Sequence, residues 1–122
     1  MAPCLHGFVT STPAEIMAKS GFDWLCVDLE HSVITIREAE ELIRIIDLSG
    51  VTPLVRLSSN DAVQIKRVMD AGAKGIIVPM VNSVEDVERA YRAMHYPTMG
   101  MRGVGLARAQ AYGADFEGYK ER

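Results

Sequence analysis

The sequence has 122 residues, 48% of them hydrophobic, 24% charged and 7% aromatic, with a formal net charge of −3. That length allows one domain, and the composition is that of a globular chain, neither disordered nor low-complexity. Thirteen Lys+Arg against sixteen Asp+Glu leave no positive excess to neutralise phosphates, so no nucleic-acid partner is expected. The longest apolar run, Ile76-Ile77-Val78-Pro79-Met80-Val81, is far short of the ~20 residues that span a bilayer, so no membrane partner is expected. No basic segment followed by an apolar stretch opens the chain, which argues against a signal peptide and for a cytoplasmic location. Two cysteines make no disulfide framework, and Cys26, inside an apolar run, reads as a packed free thiol.

Two kinds of segment alternate along the chain. Leu5–Val9, Trp24–Leu29, Pro53–Leu57 and Gly75–Met80 are short and apolar without strict polar alternation, the pattern of strands buried on both faces of a parallel sheet. Between them come amphipathic stretches with helix-start chemistry. Thr12-Pro13-Ala14-Glu15 is a capping box with proline at the first helical position. Thr35-Ile36-Arg37-Glu38 repeats the box, and Ile36, Ala39, Leu42, Ile43 and Ile46 come after it at helical spacing. Asn60 or Asp61 can cap a third helix with Val63, Val68 and Met69 as its stripe, and Ser83 a fourth with Val84, Val87, Tyr91 and Met94 on one face. Gly21, Gly50 and Gly72 stand where helices must stop. Residues 97–122 break the rhythm: a glycine-rich loop, then the start of a further helix near Asp115.

The order β-α-β-α-β-α-β-α predicts an α/β fold with a parallel sheet. Four βα units suit either a doubly wound domain of flavodoxin type, which wants a fifth strand, or about half of a (β/α)8 barrel. No fifth apolar strand comes after Met94, which favours a partial TIM barrel, its first four βα units. In either fold, ligands bind at the carboxyl ends of the strands. The second strand ends Asp28-Leu29-Glu30-His31 and the third ends at Arg56. Period two puts Asp28 and Glu30 on one side of their strand. A histidine beside a carboxylate is a candidate general base, and Arg56 offers a planar fork for a carboxylate or an enolate oxygen. The same residues also suit a structural ion cluster in which Asp28 and Glu30 pair with Arg56.

Other motifs point to less. His6 and His95 have no partners at metal-ligand spacing, and no metal ligand is assigned within the chain. Gly100-Met101-Arg102-Gly103-Val104-Gly105 lacks the strand and lysine of a phosphate loop and reads instead as a loop lining the mouth of a site. Lys19, Lys66, Lys74 and Lys120 fall on helices, helix ends or the tail, so a Schiff-base mechanism is not expected, and a metal ion is the better electrophile for carbonyl chemistry.

Gly21-Phe22-Asp23-Trp24, Asp28-Leu29-Glu30-His31-Ser32, Pro53-Leu54-Val55-Arg56, Asn60-Asp61, Asp70-Ala71-Gly72-Ala73, Val78-Pro79-Met80-Val81-Asn82 and Arg102-Gly103-Val104-Gly105 occur in that order over nearly the whole chain. In this the sequence resembles the HpcH/HpaI aldolases, class II pyruvate aldolases of the 2,4-dihydroxyhept-2-ene-1,7-dioate and 2-dehydro-3-deoxyglucarate type. The resemblance implies a (β/α)8 barrel of which this chain is the N-terminal half. It also implies a homo-oligomer, usually a hexamer, and a divalent metal ion, Mg²⁺ or Mn²⁺. The implied reaction is reversible cleavage of a 2-oxo-4-hydroxy acid to pyruvate, or a close analogue, and an aldehyde. Carried over, His31 matches the base, Arg56 the arginine that binds substrate and stabilises the enolate, and Asp28 an acid close to the base. Asp70 matches an aspartate credited with raising the histidine's basicity. Its place near the end of a helix puts it at the far end of the barrel from His31, so it would act only from a neighbouring subunit or through rearrangement, and Asp28 ranks above it. Leu5 stands where the family carries a substrate-side tryptophan, and the family's glutamate and aspartate metal ligands fall on later strands than these. Two other classes remain open: a non-catalytic α/β binding domain, and an interaction piece that pairs its open edges with another chain.

Overall fold

The structure is a computed structural model that describes residues 4–5 and 10–122. Its elements run β1 (Cys4–Leu5), α1 (Ser11–Ala18), β2 (Trp24–Asp28), α2 (Ile36–Leu48), β3 (Thr52–Arg56), α3 (Ala62–Asp70), β4 (Gly75–Ile77) and α4 (Val84–Met94). A 3-10 segment (Arg108–Gly113) and a short α5 (Phe116–Glu121) complete the chain. All strand pairs are parallel, and the order in the sheet is β1-β2-β3-β4. A doubly wound domain reverses direction after its first βα units. This sheet instead adds each strand beside the last, as a (β/α)8 barrel does. The fold is therefore a partial TIM-type barrel of four βα units, with no helix long and apolar enough to cross a membrane among the described residues.

Local chemistry explains most boundaries. Thr35 caps α2 with a complete box: its hydroxyl accepts from the Glu38 N–H, and the Glu38 carboxylate accepts from the Thr35 N–H. Asp61 caps α3, accepting from the Val63 and Gln64 N–H groups, and Ser83 caps α4, accepting from Asp86 N–H. Gly21, Gly50 and Gly72 have φ of +90°, +81° and +109°, a left-handed conformation that closes a helix without a Cβ clash.

Several boundaries depart from expectation. Helix α1 starts at Ser11 after Thr10, which makes no side-chain cap. Pro13 thus sits within the first turn, where N–H groups have no intrahelical acceptor anyway, and the expected Thr12 box is absent. Strands β2 and β3 end one residue earlier than the apolar runs, at Asp28 and Arg56. Strand β4 stops at Ile77 instead of Met80, because Pro79 has no N–H to donate and Met80 turns left-handed at φ 55°. Of the first strand, residues 6–9 lie outside the described residues, as does His6. The glycine-rich sequence before Asp115 gives no sign of the 3-10 segment.

The core lies between the sheet and its helices. Leu25, Val27 and Val55 meet Leu42, Ile43 and Ile46 of α2 and Ile65 and Val68 of α3, all fully buried. Each such side chain contributes roughly 1.5–3 kcal/mol of burial. The α3 stripe is Ile65 and Val68 with Met69 partly buried, whereas Val63 points to water. Helix α4 departs further. It buries Ala90 and Ala93, and the predicted face of Val84, Val87 and Tyr91 is exposed. Together with Ile77, Met80 and Val81 these form an uncovered apolar strip running from the β4 edge on to α4, with Met80 82% and Val84 70% exposed. Apolar side chains exposed side by side favour association, and the β4 edge, unpaired among the described residues, adds a template for pairing. The 122-residue polypeptide alone is therefore expected to self-associate at low micromolar concentration in sedimentation velocity. A monodisperse monomer with one cooperative thermal transition would show that water tolerates the strip.

Candidate active site

The parallel register sets Asp28 directly opposite Arg56 at the carboxyl ends of β2 and β3. The pairing is bidentate: Arg56 Nε donates to Asp28 Oδ1 at 2.9 Å and Nη2 to Oδ2 at 2.7 Å. Asp28 is fully buried, while the Arg56 side chain is 25% exposed. Two-point contact with a guanidinium is the geometry that best offsets removing a carboxylate from water. Arg56 therefore holds the Asp28 carboxyl well below the usual carboxylate range, with the Glu30 and His31 backbone N–H groups helping and burial opposing. The same contact raises the Arg56 pKa further, so its charge is permanent.

Asp28 also shapes the chain after it. Its Oδ1 accepts from Glu30 N–H at 3.0 Å and from His31 N–H at 3.2 Å, a local aspartate turn that ends the strand. Ser32 Oγ donates back to the Asp28 carbonyl, and Leu29 N–H to the Arg56 carbonyl at 2.8 Å. The turn presents Glu30, 21% exposed, and His31, 67% exposed. Glu30 Oε2 lies 3.5 Å from Arg56 Nε, and its Oε1 lies 3.5 Å from His31 Nε2. Asp28, Glu30, His31 and Arg56 are thus one cluster, as the strand ends suggest. The carboxylate against the imidazole, however, is that of Glu30. Asp28 meets His31 at its backbone N–H.

Asp70 is elsewhere. It is the last residue of α3 and so lies at the amino end of the sheet, where Arg102 Nη2 meets its Oδ1 at 2.5 Å. Arg102 is almost wholly buried, with its guanidinium carbon 4.8 Å from the Tyr96 ring centre and 5.4 Å from that of Tyr119. Its Nη1 donates to Tyr119 Oη at 2.9 Å. The Gly100–Gly105 loop is therefore pinned beneath the sheet, not at the mouth of the site as its glycines suggest. A Cβ at Gly100 would collide with the carbonyl oxygens of His95 and Arg92, so the glycine serves close packing. Sequence reasoning misses this lock because its partners are 32 residues apart and no local pattern joins them. A groove of about 400 Å³ between α3, α4 and this loop is lined by Val63, Lys66, Arg92 and Met101, on the helix side and away from the cluster.

Among the described residues no three His, Cys, Asp or Glu side chains come together to hold a metal ion. Both Asp28 oxygens already face Arg56, so the cluster alone does not fit a divalent metal centre. His95 is occupied otherwise, stacked on Tyr91 at 4.1 Å with Nδ1 2.8 Å from the Tyr91 carbonyl. Cys4 and Cys26 are free thiols, and burial pushes that of Cys26 up to about 12, which keeps it a packing residue.

The model of one family, HpcH/HpaI aldolase/citrate lyase, matches residues 8–116. The chain belongs to that family. It is 42% identical over 118 residues to the hydroxypyruvate/pyruvate aldolase of Sagittula stellata, covering 96% of this chain and 46% of that protein. Against the 4-hydroxy-2-oxo-heptane-1,7-dioate aldolase of Klebsiella pneumoniae it is 43% identical over 105 residues, 86% of this chain and 40% of the other. A solved HpcH/HpaI aldolase/citrate lyase family protein from Burkholderia cenocepacia superposes with a TM-score of 0.89 at 29% identity. It covers 98% of this chain and 49% of that one. The chain thus spans about half the length, or somewhat less, of the family members it matches.

The ion pair makes a pH prediction. A carboxyl whose folded pKa is depressed contributes stability above its unfolded value, near ~3.9, and loses it as pH falls through the folded value. Asp28→Asn keeps the shape and removes the charge. It is expected to destabilise by about 1–2 kcal/mol at neutral pH, discounted for the exposure of Arg56. Urea unfolding should show that gap constant down to about pH 4 and narrowing below it.

Proposed function

We propose that this chain supplies the acid–base and oxyanion-binding side of a carbon–carbon lyase. That enzyme would reversibly cleave a 2-oxo-4-hydroxy acid to pyruvate, or a close analogue, and an aldehyde. The observation that carries the reading is the juxtaposition of His31, Glu30, Arg56 and Asp28 at the carboxyl ends of β2 and β3, where barrel enzymes place their chemistry. The aldolase names of its relatives support the same class.

In this reading His31 takes the proton from the substrate's 4-hydroxyl, directly or through water. The C3–C4 bond then breaks: its electrons pass to C3 and the C2 oxygen as an enolate, and C4 leaves as the aldehyde carbonyl. Protonation of C3 completes pyruvate. Arg56 stabilises the enolate oxygen. Its Nε and Nη2 are held by Asp28, while Nη1 has no partner among the described residues and is left for substrate. A donor fixed before the charge develops needs no reorganisation at the moment of reaction. Asp28 fixes the fork and the His31 backbone. Asp70, tied to Arg102 at the opposite end, lies outside this chain's own cluster, and a role for it would require a neighbouring subunit or a rearrangement.

The cluster holds two carboxylates and one guanidinium when His31 is neutral, and the substrate is itself an anion. A further cation in the complete enzyme would balance that charge. Mg²⁺ or Mn²⁺ serves, with ligands drawn from outside the described residues of this chain. Residues 1–122 then form one part of a single barrel domain, in a homo-oligomer of the hexameric kind.

In the complete enzyme, His31→Ala should lower kcat for pyruvate release by roughly two to four orders of magnitude, the usual effect of losing a general base. Arg56→Lys keeps the charge but not the fork, and should reduce kcat more than it raises KM. Near-normal turnover in both variants would make the cluster structural.

A further inference from the structure

Resting on that reading, we propose that Glu30 is a positioning residue: one carboxylate that sets the base and the oxyanion fork relative to each other. The Asp28 contacts fix the backbone of the turn and two of the three Arg56 nitrogens. None of them touches the His31 ring. That ring is 67% exposed, and Glu30 Oε1 is its polar contact among the described residues, 3.5 Å from Nε2. The other oxygen, Oε2, lies 3.5 Å from Arg56 Nε. A rigid carboxylate with one oxygen on each group cannot let them move apart independently.

The physics favours such a link. An exposed imidazole samples several rotamers, and a general base works only from the one that reaches the proton. Glu30 is itself restrained. It is 21% exposed, its N–H is held by Asp28 at 3.0 Å, and its charge is drawn to the permanently cationic Arg56. The 3.5 Å separation from Arg56 is that of an ion pair, and that from His31 becomes one when the imidazole takes up a proton. Contacts of this kind commonly shorten once substrate closes the site. Glu30 therefore acts through His31 and Arg56, without requiring contact with substrate.

The test uses the full-length enzyme and two variants, Glu30→Gln and Glu30→Asp. Both should unfold at the wild-type temperature within a few degrees, since Glu30 lies outside the core. Glu30→Gln keeps size but loses charge, and should lower kcat roughly 10- to 100-fold, the scale of a small misplacement, with KM little changed. Glu30→Asp keeps charge but is one methylene shorter, and should recover part of that loss. Without substrate, ¹³C relaxation of the His31 ring should show greater mobility in Glu30→Gln than in wild type. An unchanged ring together with kcat within twofold would overturn the proposal. So would a rise in KM with kcat intact, which would make Glu30 a substrate contact. Should His31→Ala retain full activity while the ring still loosens in Glu30→Gln, the base assignment fails and the positioning contact stands.

Discussion

The arrangement depends first on the two-point ion pair between Asp28 and Arg56. Burying a carboxylate alone would displace its ionisation; burying it against a planar guanidinium in matched geometry keeps it charged. That match exists because β2 and β3 pair in a parallel register that sets the two residues opposite each other. The same register puts Val27 opposite Val55, and both are fully buried. Since strand side chains alternate in direction, a slip of one residue would send Asp28 toward the helices and the valines the other way. The apolar core and the ion pair thus select the same alignment, each penalising the error the other would suffer.

The chain beyond β2 is built on that anchor. Asp28 ends its strand by accepting from the two N–H groups that a longer strand would direct to a neighbour, and this places Glu30 and His31 at the rim. Arg102 does a different job at the other end of the sheet. Nearly buried between two tyrosine rings and paired with Asp70, it ties the end of α3 to the segment after α4. The two arginine–aspartate pairs have similar chemistry and opposite surroundings: Arg56 keeps a nitrogen without a partner among the described residues at the strand ends, and Arg102 is closed in. That division matches the general rule for barrels, with chemistry at the carboxyl face and stability at the amino face.

How much of this is legible in the sequence depends on whether the cause is local. The Thr35 box, the Ser83 cap and the three left-handed glycines act over a few residues and can be read directly, while the α3 cap is narrowed to Asn60 or Asp61, of which the structure uses Asp61. So can the gathering of Asp28, Glu30, His31 and Arg56 at adjoining strand ends, since strand order and period two suffice. Which acid meets the imidazole cannot, because that depends on the turn Asp28 builds with its own backbone. The α4 stripe is legible as apolar, but periodicity identifies a face without saying what covers it, and Val84, Val87 and Tyr91 are uncovered here. Arg102 is misplaced by sequence reasoning for a related cause: a glycine-rich loop looks alike at either end of a barrel. Only its pairing with Asp70 distinguishes them.

The βα repeat has one more electrostatic consequence. It turns the N-termini of α2, α3 and α4 toward the same end of the sheet as the Asp28–Arg56 pair, and helix N-termini favour anions by roughly 0.3–1 kcal/mol each. That field alone does not account for binding an anionic 2-oxo acid, because the caps oppose it. Thr35, Asp61 and Ser83 already accept from the first-turn N–H groups, and Glu38, Glu85 and Asp86 place carboxylates in the first turns of α2 and α4. The chain's own acids therefore neutralise much of the dipole field before a substrate arrives. Of the basic groups in this cluster, Arg56 is the one whose charge is permanent and whose orientation is fixed. In the proposed reading, recognition of a developing enolate falls to its remaining N–H donors, which is why the geometry that Asp28 imposes on that side chain matters more than the charge it carries.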